Sequence, residues 1–248
     1  MGKGGGNVLS CFTNSEPASA PKDQSTPAQE PKPSIKEDQP RKMATNKIFI
    51  IFYSTYGHIY NMAQSVLKGV NSVEGVEGTL YQVQETLPDE ILAKMHAAPK
   101  PDVPIMDPHD LPNADGLMFG FPTRFGGMPS QMKALFDATG SLWTKGALDG
   151  KPGAMFTGTA SQGGGQETTI SNSLSNLVHH GMIFVPAGYG MGQELFSNEE
   201  ARGGSAWGAG TLANGDGSRQ PSKIELDFAE YQGKRFAQVV KKLAVKAA

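Results

Sequence analysis

From Lys47 onward the apolar positions follow two alternating rhythms. "KIFIIFY" (47–53) is a β-branched and aromatic run, the pattern of a strand buried on both faces. Behind it Ile59, Met62, Ala63, Val66, Leu67 and Val70 recur at helical spacing and predict an amphipathic helix. The alternation then repeats. "TLYQV" (79–83) reads as a second strand, "DEILAKMH" (89–96) as a short helix and "GLMFGF" (116–121) as a third strand. Met132, Leu135 and Phe136 mark the next helix, and "AMFTGT" (154–159) a fourth strand. Ile170, Leu174, Leu177 and Val178 form another helical face, followed by a fifth strand, "MIFVP" (182–186). A long Gly-rich loop is expected from Ala187 to Ser222, then a final helix carrying Ile224, Phe228, Tyr231, Val239 and Leu243. No fixed-period repeat is present.

Before Lys47 neither rhythm exists. Between Asn14 and Asn46 the large apolar residues are only Ile35 and Met43, among Pro, Ser, Lys, Gln and Glu. Such a segment buries too little surface to offset its ordering entropy. Residues 1–46 are therefore expected to be a disordered tail, and residues 47–248 one folded domain. Strands alternating with helices imply a parallel sheet covered on both faces. Five of them fit an α/β, flavodoxin-like doubly wound sheet in the order 2-1-3-4-5. In that order ligands sit beyond the carboxyl ends of the strands, at the switch between the first and third. The loops to inspect are those after strands one, three and four.

Composition narrows the classes. The formal net charge of −2 gives no electrostatic case for nucleic acid. Cys11 is the sole cysteine, so an intrachain disulfide is impossible, and a reducing, cytoplasmic compartment fits. No run approaches the length of a transmembrane helix, and no secretory signal is visible. No Cys/His or His/carboxylate spacing suggests a metal site.

The first loop, "STYGHI" (54–59), feeds a strand into a helix without a Lys or Arg. A helix N-terminus offers free backbone N–H groups and the positive end of the helix dipole, which bind phosphate without a cationic side chain. Ser54 and Thr55 add hydroxyls, and Gly57 allows a tight turn. A Ser or Thr before a helix serves equally as a plain N-cap. The second loop, "PTRFGG" (122–127), sets Pro122, Thr123, Arg124 and Phe125 before two glycines. A buried planar ring needs an apolar face and backbone donors for its polar edge, and this stretch can supply both. Arg124 as a solvated charge and Phe125 as a core residue are the competing roles. The third loop, "ASQGGGQ" (160–166), has three glycines ahead of a helix; they suit a close-approaching ligand or a flexible surface turn. It is not a P-loop, because no Gly-Lys-Ser/Thr follows. "GAGTLA" (208–213) has the form of a dinucleotide fingerprint but follows no strand and opens no helix, so it reads as a turn-rich loop. His179 and His180 end a helix. One is expected to complement the helix dipole, and the other to point toward the mouth of the sheet, where it can donate to a flavin or quinone oxygen.

"FYSTYGHI", "GFPTRFGGMPSQMKALFDATGSLW", "QGGGQETT", "VHHGMIFVP" and "GDGSRQPS", in order from Lys47 to the C-terminus, resemble the WrbA-type NAD(P)H:quinone oxidoreductases. The resemblance implies FMN as cofactor, NADH or NADPH as donor, quinones as acceptors, protection against semiquinones and oxidative stress, and a homotetramer built around the flavin sites. It implies flavin contacts from Ser54, Thr55, Tyr56, Gly57, His58 and Ile59, then from Pro122, Thr123, Arg124, Phe125 and Gly126. Thr159, Ala160, Ser161, Gln162, Gly163 and Gly164 would follow. His179 falls at the family's active-site histidine, and Tyr56 and Trp143 at aromatic positions lining the nicotinamide and quinone site. Trp143 could equally cover a core edge. The chain departs from the family at "GTASQGGG", where Gly158, Ala160 and Ser161 replace Ser, Gly and Thr.

The implied chemistry is two-electron quinone reduction, with donor and acceptor sharing one stacking position. A one-electron flavodoxin-type carrier is disfavoured by the weak net charge and the long loop at 187–222. A membrane-associated scaffold that only binds flavin is the other alternative. Gly2 follows Met1, but Gly6 stands where N-myristoylation wants Ser or Thr; Cys11 lies near, beside Val8, Leu9 and Phe12. One acyl chain gives marginal membrane binding, and a palmitoyl group on Cys11 would add the second anchor. Two readings stay open: a soluble cytoplasmic enzyme with an initiator-processed tail, and peripheral attachment at the cytoplasmic face of the plasma membrane with the tail as tether. On the second, fractionation should find wild type with membranes and Gly2→Ala and Cys11→Ser displaced from them. A wholly soluble wild type, or mutants that pellet as it does, would dismiss the anchor.

Overall fold

A computed structural model describes residues 45–244. The expected tail, with Gly2 and Cys11, lies outside the described residues. The elements in chain order are β1 (Asn46–Phe52), α1 (His58–Asn71), β2 (Val76–Gln82), α2 (Asp89–Lys94), β3 (Gly116–Pro122), α3 (Ser130–Asp137), α4 (Gly140–Thr144), β4 (Pro152–Thr159), α5 (Gln166–His179), β5 (Ile183–Phe184), β6 (Gly210–Leu212) and α6 (Lys223–Ala244). Short 3₁₀ turns occupy Pro108–Asn113 and Gln193–Phe196.

All named strand pairs are parallel, in the order β2-β1-β3-β4-β5 anticipated from the alternation. In β1 and the residue after it, Ile48, Ile50 and Phe52 face one core with α1 and α6, while Phe49, Ile51 and Tyr53 face the other with α3, α4 and α5. That two-sided burial is why the strand reads as a continuous apolar run. On the first face α1 and α6 touch backbone to backbone. A Cβ on Gly69 would stand 1.9 Å from the Glu230 carbonyl oxygen, and one on Gly233 would stand 2.1 Å from that of Val66. Only hydrogen fits at this crossing.

The carboxyl-side edge differs from expectation. β5 pairs with β4 only at Pro152–Ile183 and Gly153–Phe184. The far half of β4 is covered instead by β6, through Thr157–Gly210, Gly158–Thr211 and Thr159–Leu212. The stretch at 208–213 thus contains a strand and is not merely a turn-rich loop. Its pairing partner lies some fifty residues away, so no local alternation announces it.

Glu225, fully buried at the start of α6, fixes this added strand. Its carboxylate accepts from the backbone N–H groups of Gly203 (2.8 Å), Leu212 (3.1 Å) and Ser222 (2.8 Å), and from Thr211 Oγ1 (2.9 Å). Arg219 Nη1 completes the set at 2.9 and 3.1 Å. A lone buried carboxylate would carry a desolvation penalty of several kcal/mol, offset here by a full set of donors. Among the described residues no helix is long and apolar enough to cross a membrane.

Candidate functional site

Because β1 lies between β2 and β3, the loops leaving β1 and β3 diverge and open a cleft of about 410 Å³ at their carboxyl ends. The residues leaving β1 supply one wall: Ser54, Thr55, Tyr56, His58 and Ile59. The loop after β3 supplies Pro122, Thr123 and Arg124, and the end of β4 supplies Gly158, Thr159 and Ala160.

The donor set at the α1 end suits a phosphate. Gly57 caps α1 in the left-handed region (φ 91°), and no side chain caps the helix. The first-turn amides therefore remain to be satisfied. Ser54 Oγ accepts from Gly57 N (3.1 Å), and Thr55 Oγ1 accepts from Arg124 Nη2 (3.3 Å). Ser54 acts only as an acceptor among the described residues, so its hydroxyl hydrogen remains to give, whereas Thr55 is buried beside the Tyr53 hydroxyl. His58 is buried, and its Nε2 lies 2.9 Å from the Arg219 carbonyl oxygen. A carbonyl only accepts, so Nε2 carries the proton. Arg124 also donates to its neighbour's carbonyl, Thr123 O, at 2.9 Å, and so reaches across from the second loop to the first.

The other expected residues are distributed differently. Thr159 lines the cleft, but its hydroxyl is committed, donating to Ser161 O (2.9 Å) and accepting from Gln166 Nε2 (3.0 Å). Ser161, Gln162 and Gly163 border a separate outer hollow with Arg202 and Gln166. Gly164 is held between Ser161 O and Thr159. Phe125 and Gly126 form a two-residue turn closed by Arg124–Gly127 bonds. Phe125 is 106% exposed there, so it gives the cleft of its own chain no aromatic face.

His179 and Trp143 stand away from the cleft. α5 begins at the carboxyl end of β4 and runs back 14 residues, about 21 Å, so its last residue lies at the opposite end of the sheet. The expectation that a histidine of this pair points to the mouth of the sheet fails within one chain, because a crossover helix must return to where the next parallel strand starts. His180 packs inward, with Nε2 2.8 Å from Thr139 Oγ1; burial, then the charge of His179, hold it below the ordinary histidine range. Thr139 also starts α4, which carries Trp143, 59% exposed. His179 and Trp143 are thus presented on neighbouring elements.

Sequence reasoning missed several contributors. Met95 and His96 line the cleft because α2 stops at Lys94, and Thr211 and Ala213 through Gly217 line it because β6 exists. Only "GDGSRQPS", within the family resemblance, pointed to the latter group. Glu85 and Lys100 brace the β1 side of the cleft from behind. Lys100 Nζ pairs with Glu85 Oε2 (2.8 Å), donates to Ser54 O (3.3 Å) and lies 4.8 Å from the Tyr53 ring centre. Glu85 further accepts from Tyr53 Oη (3.1 Å), Gln131 Nε2 (2.9 Å), Thr86 N (2.9 Å) and Leu87 N (3.1 Å). One carboxylate thereby ties the ends of β1 and β2 to the start of α3. Among the described residues no cluster of His, Cys, Asp or Glu is placed to hold a metal.

Residues 46–195 match the family described as NADPH-dependent FMN reductase. The chain is 55% identical over 201 residues to the quinone-oxidoreductase QR2 of Triphysaria versicolor, spanning 81% of this chain and 98% of that protein. It is 50% identical over 198 residues to the NAD(P)H quinone oxidoreductase PST1 of Candida albicans, spanning 80% and 99% respectively. The flavodoxin, WrbA-like protein of Agrobacterium tumefaciens superposes with a TM-score of 0.56 at 23% identity, over 79% of this chain and 98% of that one. This last likeness establishes the fold.

Burial acts to raise the pKa of Glu85, but Lys100, Leu87 N, Gln131 and Thr86 N override it and hold the carboxyl down to about 2. Its folded pKa lies below the ordinary glutamate value of 4.5, so its contribution is full above that value and is lost as pH falls through about 2. Solvent screens part of this contribution, so the shift sets only an upper limit on the stabilisation. Thermal stability should be flat in this contribution from pH 7 to 5 and decline below. Glu85→Gln should melt lower at pH 7 and show a shallower acid slope, read by calorimetry. An unchanged slope would remove Glu85 from this role.

Proposed function

We infer the function from one premise: the chain belongs to the family of NADPH-dependent FMN reductases. It is an NAD(P)H:quinone oxidoreductase that uses FMN to reduce quinones by two electrons. The observation that carries this reading is the cleft at the β1/β3 switch, opening onto the uncapped N-terminus of α1. The residues present fit FMN. Its terminal monoester suits the first-turn amides of α1 and the hydroxyl of Ser54. Its ring would lie along Pro122 to Arg124 and the end of β4. When bound, FMN supplies a two-electron carrier between nicotinamide and quinone.

The chain's own residues bind and orient. Tyr56, 46% exposed on the cleft wall, offers an aromatic face to a planar substrate. The Arg124 guanidinium across the cleft favours negative charge there. Overall, a hydride from NAD(P)H and one proton convert a quinone to a hydroquinone. Bypassing quinone radicals supports a protective role against oxidative stress.

We further propose a homotetramer in which neighbouring chains complete each cleft. Phe125, Trp143 and His179 are exposed, and the last two stand at the wrong end of the sheet for their own cleft. Supplied by a neighbour, His179 would donate a hydrogen bond to the quinone oxygen. In the same proposal the enzyme is cytoplasmic, held peripherally at the plasma membrane through Gly2 and Cys11, which lie outside the described residues.

Purified protein should take up one FMN per chain and not FAD, show a flavin spectrum and oxidise NADH with benzoquinone by ping-pong kinetics. A Cβ at Gly57 meets nothing within 4 Å, yet φ 91° resists a side chain, so Gly57→Val should weaken FMN uptake through the backbone. Protein that stays colourless with added FMN, or whose main product is the one-electron quinone radical, would refute the activity.

Light scattering should give a tetramer at micromolar concentration, and His179→Ala should lower quinone turnover more than FMN binding. A fully active monomer would refute the shared site.

A further inference from the structure

The turn that ends α2 carries a side chain where glycine is usual. His96 N donates to Ala93 O (3.1 Å) and Ala97 N to Leu92 O (3.0 Å), the paired bonds of a Schellman motif. The residue after the cap then takes the left-handed region, where glycine is preferred and asparagine tolerated. Here it is His96, at φ 53°. Only three non-glycine residues among those described have positive φ: His96, Phe125 and Asn214. His96 and Asn214 line the cleft, and Phe125 neighbours Arg124, which does. Histidine, like asparagine, is among the side chains found more often at positive φ, but it still carries a penalty that glycine avoids.

What the imidazole faces narrows its use. Ala98 N donates to Thr55 O (2.9 Å) and Lys100 Nζ to Ser54 O (3.3 Å), so the segment after α2 lies against the phosphate-binding wall. Lys100 is paired with Glu85 and is thus no free cation for a ligand. His96 is exposed, and its ring takes part in none of the side-chain hydrogen bonds formed among the described residues. Imidazole keeps an N–H donor in every protonation state at ordinary pH.

We propose that His96 is a ligand-contacting residue of this cleft, donating an N–H to a phosphate oxygen. Two sources share that chemistry: the terminal phosphate of FMN and a phosphate of the NAD(P)H dinucleotide. The assignment rests on the function proposed above.

His96→Gly and His96→Asn separate the outcomes. Without ligand, His96→Gly should melt higher than wild type, by about 2 °C, because the strain is relieved. One neutral hydrogen bond lost corresponds to an affinity loss of about three- to tenfold. If the partner is the FMN phosphate, the Kd for FMN rises by that factor while the Kd for riboflavin, which lacks phosphate, stays put. If it is a dinucleotide phosphate, FMN binding is unchanged, and the KM for NADH and NADPH rises at constant kcat in FMN-saturated enzyme. His96→Asn, which tolerates the same backbone and keeps an N–H, should recover most of either loss. A glycine variant with wild-type FMN and nucleotide binding overturns the assignment, as does equal weakening of FMN and riboflavin or a lower melting temperature. Failure of wild type to bind FMN overturns the function itself, and this assignment with it.

Discussion

Parallel neighbours in a sheet can be joined only by a crossover, and this constraint decides where everything else in the molecule can go. β1 is paired on both sides, with β2 and β3. The chain must wind outward in one direction from β1 and then return to wind in the other. The loops leaving β1 and β3 therefore part company at their carboxyl ends, and the cleft is the gap between them. The same constraint aims the N-terminus of α1 into that gap. It also carries His179, at the far end of α5, to the opposite end of the sheet.

Within that frame two carboxylates hold the walls. Glu85 gathers donors from Tyr53, Gln131, Lys100 and two backbone amides behind the phosphate loop. Glu225 gathers three backbone amides, Thr211 and Arg219 behind β6. Breaking such a buried arrangement by removing one partner costs about 3–5 kcal/mol, far more than a surface pair contributes. The two clamps act on segments rich in glycine and turns, which have little apolar surface of their own to dock with. Polar groups with many directional partners can fix the position of a loop where hydrophobic contact cannot.

The side chains left over are informative in the opposite sense. Phe125 is fully exposed at positive φ, while Trp143 and His179 are exposed on neighbouring elements at the end of the sheet remote from the cleft. None of the three is needed by the core of its own chain. In the tetramer proposed above, these are the residues that a neighbouring chain would cover.

The sequence by itself determined the layered α/β architecture, because burial on two faces produces unbroken apolar runs and burial on one face of a helix produces a 3.6-residue stripe. The positions of the phosphate loop and of the loop after β3 followed from that order, since the switch point is a property of strand order alone. Family resemblance reached as far as the roster of His179, Trp143 and the "GDGSRQPS" segment. The tertiary structure alone decided which of these share a cleft. β6 completes the edge of β4 with only three residues, too few to show any periodicity, and its partner comes from distant sequence. Lys100 reaches Ser54 across 46 positions, and Arg219 meets His58 across 161. Periodicity records which face of an element is buried; it carries no record of which distant backbone group a loop or a charged side chain finds when the elements pack. Those pairings are set by the three-dimensional path of the chain, and they are what separate the residues that line the site from those that only resemble it.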